Sequence, residues 1–228
     1  MTSDLVLLPG LICDGRLWRD VMAGLEIRSM VADLTRDDSI AAMARRTLAA
    51  APPRFALAGL SMGGYVALEI MRQAPERVTH LALLDTSARA DDEARRDTRR
   101  KGIALAHEGR FLEVSRRLLG ALLSPEHLGT AIADDVQAMS ERVGEAAYIR
   151  QQTAIMNRID SRPSLTAITA PTLVGVGEGD KLTPPELAEE MAGGIAGAAL
   201  VRFPDSAHLP TMEHPAAVVA AMRDWLAR

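Results

Sequence analysis

The chain has 228 residues, 48% hydrophobic and 25% charged, with a net charge of −4 and a pI near 5.8. That length suits one domain, or one domain with an insertion, and is enough to bury a real core. The charge balance excludes nucleic acid and anionic membrane as expected partners, and the single cysteine, Cys13, excludes an internal disulfide framework.

No apolar stretch approaches the roughly 18 residues a membrane span needs. The opening residues, Met1-Thr2-Ser3-Asp4, put no basic segment ahead of the apolar run that follows, so a cytoplasmic protein is expected. Lysine occurs only at 101 and 181, and arginine carries the remaining positive charge, a bias of codon usage.

Residues 5–8 are a continuous apolar run ended by Pro9-Gly10, which reads as a strand buried on both faces. Residues 28–33 form a weaker strand ending at Asp33, and 39–50 have helical spacing stopped by Pro52-Pro53. Residues 55–60 predict a strand, 62–73 a helix closed by Pro75, and 78–84 a strand ending at Asp85. From 89 to 162 only helical periodicity appears. Its first part, residues 89–101, is nearly all charge and reads as a solvated helix face. A strand at 171–176, a helix at 184–192 stopped by Gly193-Gly194, a strand at 199–203 and a helix at 215–226 complete the chain. No internal repeat or low-complexity tract is present.

Strands and helices alternate, and the strands are runs rather than alternations. This pattern predicts an α/β fold with a mainly parallel sheet flanked by helices on both faces. Residues 1–88 and 163–228 make the core, and 89–162 form a helical lid inserted between two strands.

Gly59-Leu60-Ser61-Met62-Gly63 fits G-x-S-x-G between a strand and a helix, the pattern of a nucleophile elbow. Positions two residues from the serine must be small where strand and helix backbones crowd. The hydroxyl then stands at the carboxyl end of the sheet, where ligands bind in such folds. A serine needs a base to take its proton and an acid to orient the base, in chain order Ser, Asp or Glu, His.

Of the five histidines, His208 lies in a loop after the last strand, the required place. His80 lies inside an apolar strand, His107 and His127 fall in the helical segment, and His214 reads as a surface or capping residue. Asp180, in a glycine-rich loop stiffened by Thr183-Pro184-Pro185, is the first candidate acid, with Asp85 and Glu178 as alternatives. Oxyanion donors are expected from the backbone N–H of Met62 and, in the loop after the first strand, from Leu11, with Gly10 letting that backbone come close. Pocket candidates are Leu11, Trp18, Leu182 and Leu209, with Phe111, Met139, Tyr148 or Met156 from the lid. Cys13 reads as a small packed residue, and Asp14 as a turn residue or substrate contact.

These segments resemble the α/β-hydrolase superfamily over nearly the whole chain, in the order "LLPG" with Trp18, "GLSMGGYVALEI", "PTLVGVGEGDKLTPP" and "SAHLPTMEHPAAVVAAMRDWL". The subgroup is similar to small serine esterases and enol-lactonase-like enzymes. The chain departs from it at Pro9-Gly10, where many members have His-Gly, and at Ala207, where many have Gly. The two strands that usually precede the oxyanion loop are missing, so about six strands are expected. A serine nucleophile argues against the dehalogenase and epoxide hydrolase chemistry that the resemblance otherwise admits.

The resemblance implies a serine hydrolase cleaving a small-molecule carboxylic ester or lactone through Ser61, His208 and Asp180 and an acyl-enzyme. No cofactor or metal is expected: no Cys/His cluster has zinc spacing and no glycine-rich loop has the phosphate pattern. A C–C bond hydrolase or other acyl-transfer enzyme with the same triad, and a non-catalytic ligand-binding protein on the same fold, are the alternatives.

Overall fold

In the computed structural model, which describes residues 4–228, the apolar runs become six strands. They are β1 Leu5–Leu8, β2 Ser29–Val31, β3 Phe55–Leu60, β4 Val78–Leu84, β5 Thr172–Gly177 and β6 Ala199–Phe203. Every neighbouring pair is parallel, in the order β2-β1-β3-β4-β5-β6. Helices α1 Arg19–Leu25, α2 Ile40–Ala50, α3 Met62–Gln73, α7 Pro185–Gly194 and α9 Pro215–Leu226 cover the sheet.

The strand pleat explains why the runs are continuous. Val6, Leu8, Leu57, Leu81 and Val174 pack on one face against Met43 of α2, Ile70 of α3 and Met191 of α7. Leu5, Leu7, Ala58, Leu84 and Leu173 pack on the other against Val21 of α1 and Met222 and Trp225 of α9. Both sets of alternate residues are buried, so no polar face is left to break the run. His80 in β4 meets the Trp225 ring edge-on at 5.7 Å between centroids.

β2 is shorter than expected, at the sheet edge with β1 as its one partner. Residue 214 also breaks an expected boundary: a short helix, α8 Pro210–Glu213, precedes α9. His214 sits at φ −136° between them, because the residue before a proline is driven out of the helical region.

Between β4 and β5 the chain forms α4 Glu93–His107, α5 Phe111–Leu122 and α6 Ala131–Met156, and no strand. α6 is broken at Gly144, whose φ of +78° lies in the region that favours glycine. Among the described residues no helix is long and apolar enough to cross a membrane. The strand order reverses direction between β1 and β3. A crevice forms outside the carboxyl ends of strands at such a switch point, and the loops after these two strands carry Leu11 and Ser61.

Candidate active site

Ser61 occupies a corner that few residues tolerate, at φ +56° and ψ −117°. Two bonds from the neighbouring strand end hold it: the Ser61 N–H donates to the Leu84 carbonyl at 2.9 Å, and the Thr86 hydroxyl donates to the Ser61 carbonyl at 2.7 Å. A Cβ on Gly59 would lie 2.3 Å from the Gly63 carbonyl oxygen, and one on Gly63 would lie 2.1 Å from that of Leu8. Both motif glycines are therefore sterically required. Gly10 is not: its added Cβ would make ordinary contact with Ser61 Cβ at 3.5 Å. The close approach expected of Gly10 does not need a glycine.

His208 and Asp180 meet on the far side of the crevice. His208 is 2% exposed, and its Nδ1 lies 2.7 Å from Asp180 Oδ2. The Asp180 carboxylate is fixed by its own loop. Oδ1 accepts from the N–H groups of Leu182 at 2.8 Å and Thr183 at 3.0 Å, and Oδ2 from the Thr183 hydroxyl at 2.6 Å. Burial pushes this carboxyl up, but the charge of His208 and the hydrogen bonds from His208 and Thr183 outweigh it, and the net shift is downward.

The other two candidate acids part company. Glu178 is exposed, and its N–H donates to Phe203. Asp85 is fully buried and its Oδ1 accepts the Gly177 N–H at 2.8 Å. Burial and the Asp180 charge push the Asp85 carboxyl well above the usual carboxylate range, which favours its protonated form.

Asp85, Asp180 and His208 each bring an oxygen or nitrogen to within 4.8 Å of the others. With Nδ1 of His208 donating to Asp180, that nitrogen has no lone pair to offer a metal.

The histidine loop has a fastening that the sequence reading missed. Glu213, whose side chain is buried, accepts from the N–H groups on both sides of His208, Ala207 at 3.0 Å and Leu209 at 3.3 Å. Its other oxygen accepts the Ser124 N–H at 2.8 Å, tying this loop to the end of α5. From below, Gly177 makes room for the loop, since its Cβ would lie 1.9 Å from the Ala207 carbonyl oxygen.

Ser61 and His208 face a single cavity of about 650 Å³. Among the described residues the Ser61 hydroxyl makes no hydrogen bond to His208, a separation common in ligand-free sites that tighten around substrate. The N–H groups of Leu11 and Met62 donate to no described protein group; Leu11 lines the cavity, and Met62 follows Ser61 as the first residue of α3.

Leu11, Leu182, Leu209 and Tyr148 line the cavity. Trp18 does not, which corrects the expectation: it ends a 3₁₀ turn, Gly15–Trp18, and is fully buried in the core with Val218 and Met222. Phe111, Met139 and Met156 do not line it either. Phe111 packs against the Tyr148 ring at 5.5 Å, and Met139 belongs to the core below. Asp14 takes the turn role, accepting from the Arg16 N–H and pairing with Arg142. Cys13 lines the cavity, but burial first, then the Asp14 charge, push its thiol up to about 12, so it stays a neutral packed group.

The largest departure concerns 89–101. The segment is not simply a solvated face: Arg95, Thr98 and Arg99 line the cavity and Asp91 is buried, while Lys101 stays exposed at its edge and pairs with Asp97. A charge run carries no sign of which cations will face inward.

A fully parallel sheet, a serine on a strand–turn–helix corner at its switch point and a His–Asp pair across the crevice define the α/β-hydrolase class. The chain belongs to the alpha/beta hydrolase fold family, whose model matches residues 27–215. It is 27% identical over 239 residues to the pimeloyl-[acyl-carrier protein] methyl ester esterase of Edwardsiella ictaluri, covering 97% of this chain and 92% of that protein. Among solved structures it is similar to a thermophilic esterase from Thermogutta terrifontis, with a TM-score of 0.88, 28% identity, and 99% of this chain and 89% of that one covered. The enol-lactonase from Burkholderia xenovorans LB400 shares the fold, with a TM-score of 0.89 at 21% identity, over 100% of this chain and 92% of that one.

Proposed function

We propose that this protein is a serine hydrolase that cleaves a small carboxylic ester or lactone through an acyl-enzyme on Ser61. The observation that carries the reading is the His208–Asp180 pair at 2.7 Å, facing the same cavity as a serine held on a strained elbow. The esterase relatives support the same chemistry.

Ser61 Oγ attacks the substrate carbonyl while His208 Nε2 takes its proton. The Leu11 and Met62 N–H groups hold the oxyanion of the tetrahedral intermediate. His208 passes the proton to the leaving alcohol, and the acyl-enzyme remains. Asp180 fixes the Nδ1–H tautomer and stabilises the imidazolium. Water, deprotonated by His208, then attacks the acyl carbonyl and releases Ser61 and the acid. In a lactone the leaving alcohol stays tethered to the acyl group, and the sequence of steps is unchanged. In this reading residues 89–162 act as a lid, since α4, α5 and α6 supply much of the cavity wall.

The test is kcat/KM on p-nitrophenyl esters of two to twelve acyl carbons. Wild type is expected to turn over, and Ser61→Ala to lose at least about 10³-fold while keeping its circular dichroism spectrum. Turnover by Ser61→Ala close to wild type overturns the assignment.

A further inference from the structure

We infer that the cavity holds an anion subsite built around Arg99 and Tyr148, and that the ester or lactone taken by this site carries a free carboxylate. The inference rests on the hydrolase reading and narrows its substrate class.

The protein is acidic overall, yet this cavity is not. Five cationic side chains line it, Arg95, Arg99, Lys101, Arg117 and Lys181, against one carboxylate, Asp92, although Lys101 pairs with Asp97 and Arg117 with Glu113 beyond the lining. Asp92 is already engaged as the cap of α4, accepting the Arg95 N–H at 2.8 Å. The only two lysines of the chain are both here. Among the described residues, Arg95 and Lys181 make no ion pair; the nearest partner of Arg95 is the Leu182 carbonyl at 3.4 Å.

The deeper observation is a charge imbalance. The buried Asp91 carboxylate meets two guanidiniums, Arg99 Nε at 2.5 Å and Arg158 Nη1 at 2.8 Å. Arg158 is spent on structure: it donates to the Arg89 and Ile155 carbonyls and lies over the Tyr65 ring at 4.2 Å. Arg99 is the surplus charge. It donates to Asp91 and, through Nη1, to Gln152 Oε1 at 2.7 Å. A third contact, to Asp91 Oδ1, is long at 3.5 Å. Of five guanidinium N–H groups, two remain without a described acceptor.

Beside it Tyr148, 1% exposed, accepts from Gln152 Nε2 at 3.1 Å, while its own O–H donates to no described group. A surplus positive charge and an unspent buried donor, side by side in a cavity otherwise walled by Leu105, Val114 and Leu118, are matched by a carboxylate. A neutral alkyl chain would leave both unanswered.

The experiment uses two ester pairs. Mono-p-nitrophenyl glutarate, charged on its acyl part, is compared with p-nitrophenyl 4-carbamoylbutyrate. For charge on the leaving group, 4-carboxyphenyl butyrate is compared with 4-carbamoylphenyl butyrate. Each pair differs by carboxylate against isosteric amide. Wild type should favour the charged member of at least one pair in kcat/KM by about 10- to 100-fold, the range of a charge-assisted hydrogen bond. Arg99→Gln should erase that ratio; it leaves Asp91 with Arg158, a charge-matched pair. Tyr148→Phe, which keeps the ring against Phe111, should lower the ratio too and serves if Arg99→Gln does not fold.

An Arg99 that only braces the fold would lower both members of a pair together. Isothermal calorimetry with glutarate reads the subsite without turnover. Saturable binding that Arg99→Gln weakens at least 10-fold supports it, even if wild type hydrolyses none of the four esters and the hydrolase reading falls. No saturable glutarate binding, binding equal in Arg99→Gln, or charge ratios near one in both pairs overturns the subsite.

Discussion

Two aspartates at neighbouring strand ends are driven in opposite directions by what surrounds them. Asp180 accepts three hydrogen bonds from its own loop in addition to the one from His208, and stays ionised. Asp85 accepts only the Gly177 N–H, stands within hydrogen-bonding reach of the Asp180 carboxylate, and is driven toward its protonated form by burial and that charge. Their spacing in sequence does not reveal this difference, which is why three acids stood open until hydrogen bonding was visible. The consequence is a pH dependence with a definite sign. An acid whose pKa is raised by folding holds a proton that the unfolded chain has released, so native Asp85 makes stability fall as pH rises above about 4. Asp180 acts oppositely, and its contribution, present above about 4, is lost as pH falls further. Asp85→Asn mimics the protonated acid and removes the upper slope. Urea unfolding at pH 4.5, 6 and 8 should show the variant gaining on wild type as pH rises; parallel curves would sink the assignment of a neutral Asp85. In the same preparations Asp180→Asn should lose about 10⁴-fold in kcat through the wrong imidazole tautomer, and Asp85→Asn far less.

At the scale of the element, the elbow is where sequence and geometry agree most closely. A strand, a sharp corner and a helix compressed into Gly59–Gly63 admit one backbone path, and the two glycines are fixed by clashes of 2.3 and 2.1 Å with main-chain oxygens. Backbone atoms cannot give way as a side chain can. Gly63→Ala is therefore expected to cost about 3 kcal/mol or more, beyond the usual range for one substitution, read as a fall in melting temperature of at least about 6 °C. Gly10→Ala, whose new methyl meets only ordinary contacts, should fall within about 1 kcal/mol of wild type. Equal losses at the two positions would mean the crowding lies elsewhere. The strands and core helices were equally legible, since continuous apolar runs and proline stops report burial and termination directly. Trp18 was not, because a large aromatic beside an expected oxyanion loop has the same composition whether it faces the cavity or the core. Glu213, Gln151 and Arg99 were missed for a related reason: their partners lie far along the chain, and a lone polar residue announces no distant bond.

At the scale of the whole molecule, one buried residue of α6 bonds to two separate loops of the sheet region. Gln151 lies on α6, in the helical segment, and is fully buried. Its Oε1 accepts the Ile12 N–H at 3.0 Å, and its Nε2 donates to the Leu34 carbonyl at 3.2 Å. Ile12 follows Leu11, the proposed oxyanion donor, and holds a φ of +54° that a β-branched residue adopts only under restraint. Gln151 thus restrains the loop after β1 from α6, the helix whose Tyr148, Gln152 and Ile155 line the same cavity. The Arg142–Asp14 pair also links α6 to the loop after β1, but an exposed ion pair adds little. Gln151→Leu keeps the volume and strands two buried backbone groups, each costing about 1–3 kcal/mol. A stability loss of about 2–6 kcal/mol is expected, with kcat on p-nitrophenyl butyrate down at least about 10-fold as the Leu11 N–H loses its position. A variant of Asp14, Asp14→Asn, breaks a surface link and should change neither by more than a fraction of this. The decisive reading is the pair of effects in Gln151→Leu. If the protein is destabilised but kcat holds, the residue only fastens the segment to the core, and the loop after β1 keeps its shape through its own turn.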